Sequence, residues 1–138
     1  MGKYKIAVVG LGGVGGYYGG KLAQRFARTY KYEIIFVARG AHKEAIEQYG
    51  LTLELGEEVQ TIKPDSVVSD PKQMGQLDLI LFCVKSYSLE QVAEQFAESI
   101  NSYTLLLPLL NGIESIEYLQ QRFRRRRRCG AACTLFQV

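Results

Sequence analysis

Histidine occurs once in these 138 residues and cysteine three times, and no apolar run approaches the roughly 20 residues that a membrane-spanning helix needs. These shortages exclude several classes of protein. Cys83, Cys129 and Cys133 are odd in number, none stands in Cys-x-x-Cys spacing, and Cys83 sits inside an apolar strand pattern. Neither a disulfide framework nor a metal site is therefore expected, and the thiols read as buried or incidental in a reducing compartment. The lone His42 falls in a short helical stretch, where an exposed or capping role fits better than proton transfer. Met1-Gly2-Lys3-Tyr4 leads directly into an apolar strand pattern rather than a leader peptide, so the chain is read as cytoplasmic, with no membrane contact. Its length suits one ordinary core, and 47% hydrophobic with 22% charged residues suits a globular domain.

Charge is unevenly spread. Arg122 and the run from Arg124 to Arg128 hold six positive charges within a net +3, so the rest of the chain carries −3. Such a block can attract nucleic acid through counterion release. No aromatic stacking platform or nucleic-acid motif accompanies it, so a solvated, self-repelling junction between a helix and a strand is the better reading.

What the chain does have is glycine in a telling place. The apolar run Lys5-Ile6-Ala7-Val8-Val9 feeds Gly10-Leu11-Gly12-Gly13-Val14-Gly15, a Gly-x-Gly-x-x-Gly turn that opens a helix. In that pattern Gly10 permits the tight turn, Gly12 lets the backbone approach a pyrophosphate, and Gly15 lets the helix pack closely on the sheet. The unpaired N–H groups and the positive end of the helix dipole would then favour an anion without a charged side chain.

Beyond the loop, strand-like and helical patterns alternate, the signature of βαβ units and a parallel sheet. The first strand is expected at Tyr4–Val9 and the first helix at 14–30, with Val14, Tyr18, Leu22 and Phe26 on its apolar face. Gly16, Gly19 and Gly20 would weaken that helix in isolation and point to close packing or cofactor access. A second strand at 33–38 leads through Arg39-Gly40 to a short helix stopped by Gly50. Leu51–Leu55 and 59–63 flank Gly56-Glu57-Glu58 as an inserted hairpin. Residues 78–84 read as a central strand covered on both faces. Ser88-Leu89-Glu90-Gln91 fits a capping box, followed by a core stripe of Leu89, Val92, Ala93, Phe96 and Ile100. A strand at 103–107 is limited by Pro108. Asn111-Gly112 turns into a helix carrying Ile113, Ile116 and Leu119, and 131–138 reads as a last strand in which the chain stops.

Three polar residues fall at or just beyond the carboxyl ends of strands, where open α/β sheets bind ligands: Arg39, Lys85 and Asn111. An acidic residue after the second strand suits the ribose 2′-hydroxyl of NAD, whereas an arginine suits the 2′-phosphate of NADP. Val37-Ala38-Arg39 has the arginine and no acid, so NADP is preferred. Lys85 reads either as an electrostatic guide for substrate or cofactor or as an exposed end to a buried strand. Asn111 reads either as a turn former or as an amide that donates to a carbonyl or ribose hydroxyl.

The ordered set Gly10-Leu11-Gly12-Gly13-Val14-Gly15-Gly16-Tyr17-Tyr18-Gly19, Ala38-Arg39-Gly40, Val84-Lys85-Ser86-Tyr87 and Leu110-Asn111-Gly112-Ile113 resembles the ketopantoate reductase family over essentially the whole chain. That resemblance implies a Rossmann-like, doubly wound, mostly parallel sheet with the inserted hairpin. It implies NADPH-dependent reduction of 2-dehydropantoate to pantoate, in the synthesis of pantothenate and coenzyme A. Gly10, Leu11, Gly12, Gly13, Val14 and Gly15 would hold the dinucleotide, Arg39 its 2′-phosphate, and Lys85 and Asn111 would position nicotinamide and substrate. The family's general acid is a lysine of a helical second domain absent from these residues. The chain is accordingly expected to be a dinucleotide-binding domain over 1–138, truncated at its C-terminal end, that binds cofactor with little or no turnover. Two alternatives stand beside it: a non-catalytic nucleotide-binding regulatory module, and a reductase of another small 2-keto acid. Apolar surface at a truncated edge leaves a homo-oligomer open.

Overall fold

Ile6, Val8 and their alternating neighbours Ala7 and Val9 point to opposite faces of one strand, and all four are buried, so this strand must lie inside a sheet covered on both sides. The structure, a computed structural model, describes residues 2–110 and 113–123. The expected Asn111-Gly112 turn, the arginine run 124–128, Cys129, Cys133 and the expected strand at 131–138 lie outside the described residues.

The chain forms β1 (Tyr4–Val9), α1 (Gly13–Phe26), β2 (Tyr32–Val37), α2 (Gly40–Tyr49), the hairpin β3 (Leu51–Leu55) and β4 (Glu58–Ile62), then β5 (Ser66–Val68) and β6 (Leu79–Phe82). It continues through α3 (Leu89–Gln95), β7 (Leu105–Pro108) and α4 (Glu114–Phe123). Among the described residues, five strands make one parallel sheet in the order β5-β2-β1-β6-β7, and β3 pairs with β4 alone, antiparallel. The chain steps outward from β1 to β2 and β5, then returns to the other side of β1 with β6. That reversal opens a crevice at the carboxyl ends of β1 and β6. One core cluster joins Ala7, Val9, Phe82 and Leu106 to Leu89, Ala93 and Phe96 near α3 and to Leu119 and Phe123 of α4. The other joins Ile6, Val8, Ile34 and Phe36 to Ala23 of α1, Ile46 of α2 and Leu53 and Ile62 of the hairpin. Among the described residues no helix is long and apolar enough to cross a membrane.

The buried face of α1 corrects the expected one. Gly15, Gly16, Gly19, Gly20 and Ala23 face inward, while Val14 and Tyr18 are exposed and Leu22 and Phe26 are only partly covered. The reason is distance. A Cβ on Gly15 would stand 1.6 Å from the Gly10 carbonyl oxygen, one on Gly19 2.9 Å from Val8 Cγ1, and one on Gly20 2.6 Å from Leu53 Cδ1. The helix lies so close to β1 and the hairpin that only its glycine edge fits. This close packing offsets the intrinsic cost of glycine in a helix, about 1 kcal/mol per residue.

Other departures have local causes. The first helix ends at Phe26 rather than residue 30, because the chain reverses at Arg28, which has φ +61° and gives its N–H to Asp65 Oδ1 at 2.8 Å. The same carboxylate accepts from Ile34 N at 2.7 Å. A three-residue edge strand, β5, carries no periodic signal and was not expected. The capping box does not form, since Ser88 lies at the end of a 3₁₀ turn over Ser86–Ser88 and its hydroxyl caps nothing. The core stripe of α3 and its extension forms as expected, with Val92 partly buried. β7 starts two residues late because Asn101 Oδ1 accepts from Tyr103 N at 2.8 Å in a local turn. Ile113 is exposed just ahead of α4, whose buried positions are Ser115, Ile116, Leu119 and Phe123.

Because the Gly15 Cβ would collide with backbone rather than with a yielding side chain, Gly15→Ala is expected to cost about 1–3 kcal/mol of stability, or more. Urea denaturation of the variant against wild type measures it, and an unchanged midpoint would contradict the close packing described.

Candidate functional site

Gly10 follows β1 with φ +91°, a left-handed conformation, and a Cβ there would also stand 2.8 Å from the Cys83 carbonyl oxygen. The turn it permits aims the start of α1 at the carboxyl edge of the sheet. Gly12 precedes α1, and a Cβ built on it meets nothing within 4 Å, so open space adjoins the backbone there. Among the described residues no side chain caps the helix start, and no acid lies in its first turn. The free N–H groups and the positive dipole end are therefore left available to an anion.

Two cavities lie along this edge and share Ser88 and Val92. One, of 390 Å³, is lined by Gly10, Leu11, Ala38, Arg39, His42 and Gln95 among others. The other, of 690 Å³, is lined by Gly12, Gly13, Val14, Cys83, Lys85 and Leu110 among others. Arg39 and Lys85 thus line the two adjoining cavities on which the glycine loop opens, both exposed. Lys85 precedes the 3₁₀ turn, and its carbonyl accepts from Ser88 N at 2.9 Å. Asn111 lies outside the described residues. His42 is exposed, as expected, and lines the Arg39 cavity.

Arg39 also borders a third cavity, of 510 Å³, lined by Ser69, Asp70, Pro71, Lys72 and Gln95. Its Nη2 donates to Gln95 Oε1 at 2.8 Å, across 56 residues of sequence. Sequence reasoning missed Ser69, Lys72 and Gln95. Ser69 and Lys72 reach the site only because β5 lies beside β2, and Gln95 only because the end of α3 reaches across to the end of β2. No spacing rule signals either neighbour.

The residues fit a dinucleotide: an uncapped helix start, open space at Gly12 and a cation after β2 lie along two adjoining cavities that share Ser88 and Val92. Cys83 fits less well as a reactive group. Burial pushes its thiol up from 9.0 to about 11, so its thiolate fraction at pH 8 falls roughly a hundredfold below that of an unperturbed thiol. Peptide-resolved iodoacetamide labelling at pH 8 should accordingly be about a hundredfold slower at Cys83 than for a free thiol, and should climb as pH rises towards 11. Labelling as fast as a free thiol would contradict this.

Residues 6–138 match the family model for ketopantoate reductase PanE/ApbA. The fold is similar to the crystal structure of 2-dehydropantoate 2-reductase from Porphyromonas gingivalis W83, with 42% identity, a TM-score of 0.78, and coverage of 86% of this chain and 42% of that one. A 2-dehydropantoate 2-reductase of Mesorhizobium japonicum is 36% identical over 110 residues, 79% of this chain and 32% of that protein. The ternary structure of D-mandelate dehydrogenase with NADH and anilino(oxo)acetate is 28% identical, with a TM-score of 0.68 over 83% of this chain and 36% of that one. The chain spans 32% to 42% of the length of these proteins.

Proposed function

Because this chain belongs to the ketopantoate reductase family, a family of oxidoreductases, we propose that it supplies the NADPH-binding domain for reduction of 2-dehydropantoate to pantoate. The observation that carries the choice of cofactor is Arg39, the residue that leads from β2 into α2, in a cavity that the glycine loop also lines and with no acid in its place. A guanidinium can hold a 2′-phosphate through paired hydrogen bonds, while a carboxylate there would suit a 2′-hydroxyl.

In this reading the start of α1 and the backbone at Gly12 and Gly13 hold the pyrophosphate, and Gly10 and Gly15 fix the loop against β1 and β6. Leu11 and Val14 border the cofactor on either side of the loop. When bound, the reduced nicotinamide supplies the hydride for the keto carbon. Lys85, at the nicotinamide end of the site, orients substrate and helps hold the charge that develops on the carbonyl oxygen. Asn111 is assigned to the same end. The general acid and most contacts to the keto acid are assigned to parts of the family's fold outside these 138 residues, so this chain alone binds cofactor with little turnover. Residues 1–138 are one dinucleotide-binding domain in this proposal, working in the cytoplasm.

A second reading, reduction of another small 2-keto acid, is favoured by the likeness to D-mandelate dehydrogenase bound to NADH and anilino(oxo)acetate. Both readings need the glycine loop; they differ at the substrate and at Arg39.

Fluorescence titration with NADPH and NADH separates the cofactors. Arg39 is exposed, so Arg39→Ala should fold normally, yet it is expected to weaken NADPH binding about tenfold to a hundredfold, leaving NADH within about twofold. Equal affinities in the wild type, unaffected by the substitution, would overturn the NADP assignment.

A further inference from the structure

Two neighbouring residues at the end of α3 each engage an arginine, and they do so with different chemistry. Glu94 takes the Arg122 guanidinium through both carboxylate oxygens, Nε to Oε1 and Nη2 to Oε2, the latter at 2.7 Å. That pair ties α3 to α4 and cancels the charge of Arg122. Gln95 takes Arg39 through an amide oxygen, Nη2 to Oε1 at 2.8 Å. An amide orients a guanidinium without neutralising it.

We propose that Gln95 is a positioning residue that selects for the 2′-phosphate of the dinucleotide, by holding the Arg39 guanidinium in place while leaving its charge uncompensated. The inference rests on the NADPH reading given above. Its physical basis is charge as well as geometry. Among the described residues, Arg39, Asp70 and Lys72 are the ionisable groups lining the 510 Å³ cavity that Gln95 borders, and together they leave one net positive charge. Asp70 is engaged locally, with Oδ1 accepting from the Lys72 backbone N–H at 3.0 Å. A carboxylate at position 95 would keep the hydrogen bond to Arg39 and erase the net charge. A phosphate arriving there would then meet a neutral ion pair instead of a cation, and its own charge would be repelled by the new carboxylate. An unanchored arginine would lose less, keeping its charge but having to order its side chain on binding.

Calorimetric titration with adenosine 2′,5′-bisphosphate and with 5′-AMP tests this on the intact chain, since the two ligands differ only in the 2′-phosphate. Gln95 is exposed, so neither Gln95→Glu nor Gln95→Ala should disturb the core. Gln95→Glu should weaken the bisphosphate about tenfold or more, with 5′-AMP held within about twofold, and Gln95→Ala should fall between it and wild type. A merely structural role would move both ligands together. If wild type prefers the bisphosphate and Arg39→Ala removes that preference, but Gln95→Glu retains it, the role of Gln95 is overturned and the NADPH reading survives. A wild-type chain that binds both ligands alike, or neither, overturns the NADPH reading and this inference with it.

Discussion

The approach of α1 to β1, close enough that Gly15 would drive a Cβ to 1.6 Å from the Gly10 carbonyl oxygen, is the constraint on which the site depends. It sets the loop from Gly10 to Gly13 tight against the carboxyl ends of β1 and β6. It also explains why α1 presents glycines to the sheet and leaves Tyr17 and Tyr18, packed edge to face at 5.2 Å, on its outer side. A helix held one side chain farther out would keep its dipole but would no longer place its start beside Arg39 and Lys85.

The two edges of the sheet are treated in opposite ways. At the amino edge the chain satisfies its own backbone donors with carboxylates: Asp78 Oδ2 accepts from Lys5 N at 2.7 Å, and Asp65 accepts from Ile34 N and Arg28 N. Lys5 Nζ is likewise spent on the Met74 carbonyl at 2.8 Å. At the carboxyl edge the start of α1 has no side-chain cap, and Arg39 and Lys85 project there. The helix dipole, Arg39 and Lys85 at the carboxyl edge favour an anionic ligand there.

Much of this was legible in the sequence because it is local. The boundaries of β1 and β3 follow from apolar runs and turn residues, β4 lies one residue earlier than expected, at Glu58–Ile62, and the glycine spacing marked where the loop would sit. Arg39 and Lys85 were legible as strand-end residues. What escaped was whatever depends on distance across the fold. The apolar period of Val14, Tyr18, Leu22 and Phe26 is real, yet the nearness of β1 and the hairpin overrides it. β5 is three residues long and takes its strand character from β2 rather than from any pattern of its own. Ser88 has the sequence of a cap but the backbone of a 3₁₀ turn, and its hydroxyl makes no cap hydrogen bond. Ser69 and Lys72 join the site through the strand order, and Gln95 through the reach of α3 to the end of β2.

The end of α3 carries this logic one step further. In the proposed NADPH reading Arg39 faces the 2′-phosphate with its charge uncompensated, whereas Arg122 serves packing. Here adjacent residues divide that labour, Glu94 closing the α3–α4 contact on Arg122 and Gln95 steadying Arg39. The hydrogen bond that Arg122 donates to Glu94 raises the Arg122 pKa above its ordinary value, in keeping with a cation committed to its partner. Replacing the acid by its amide at the next position trades ion pairing for orientation. A difference of one oxygen for one nitrogen thus separates a cation used to hold the protein together from the one that the proposal reserves for a phosphate.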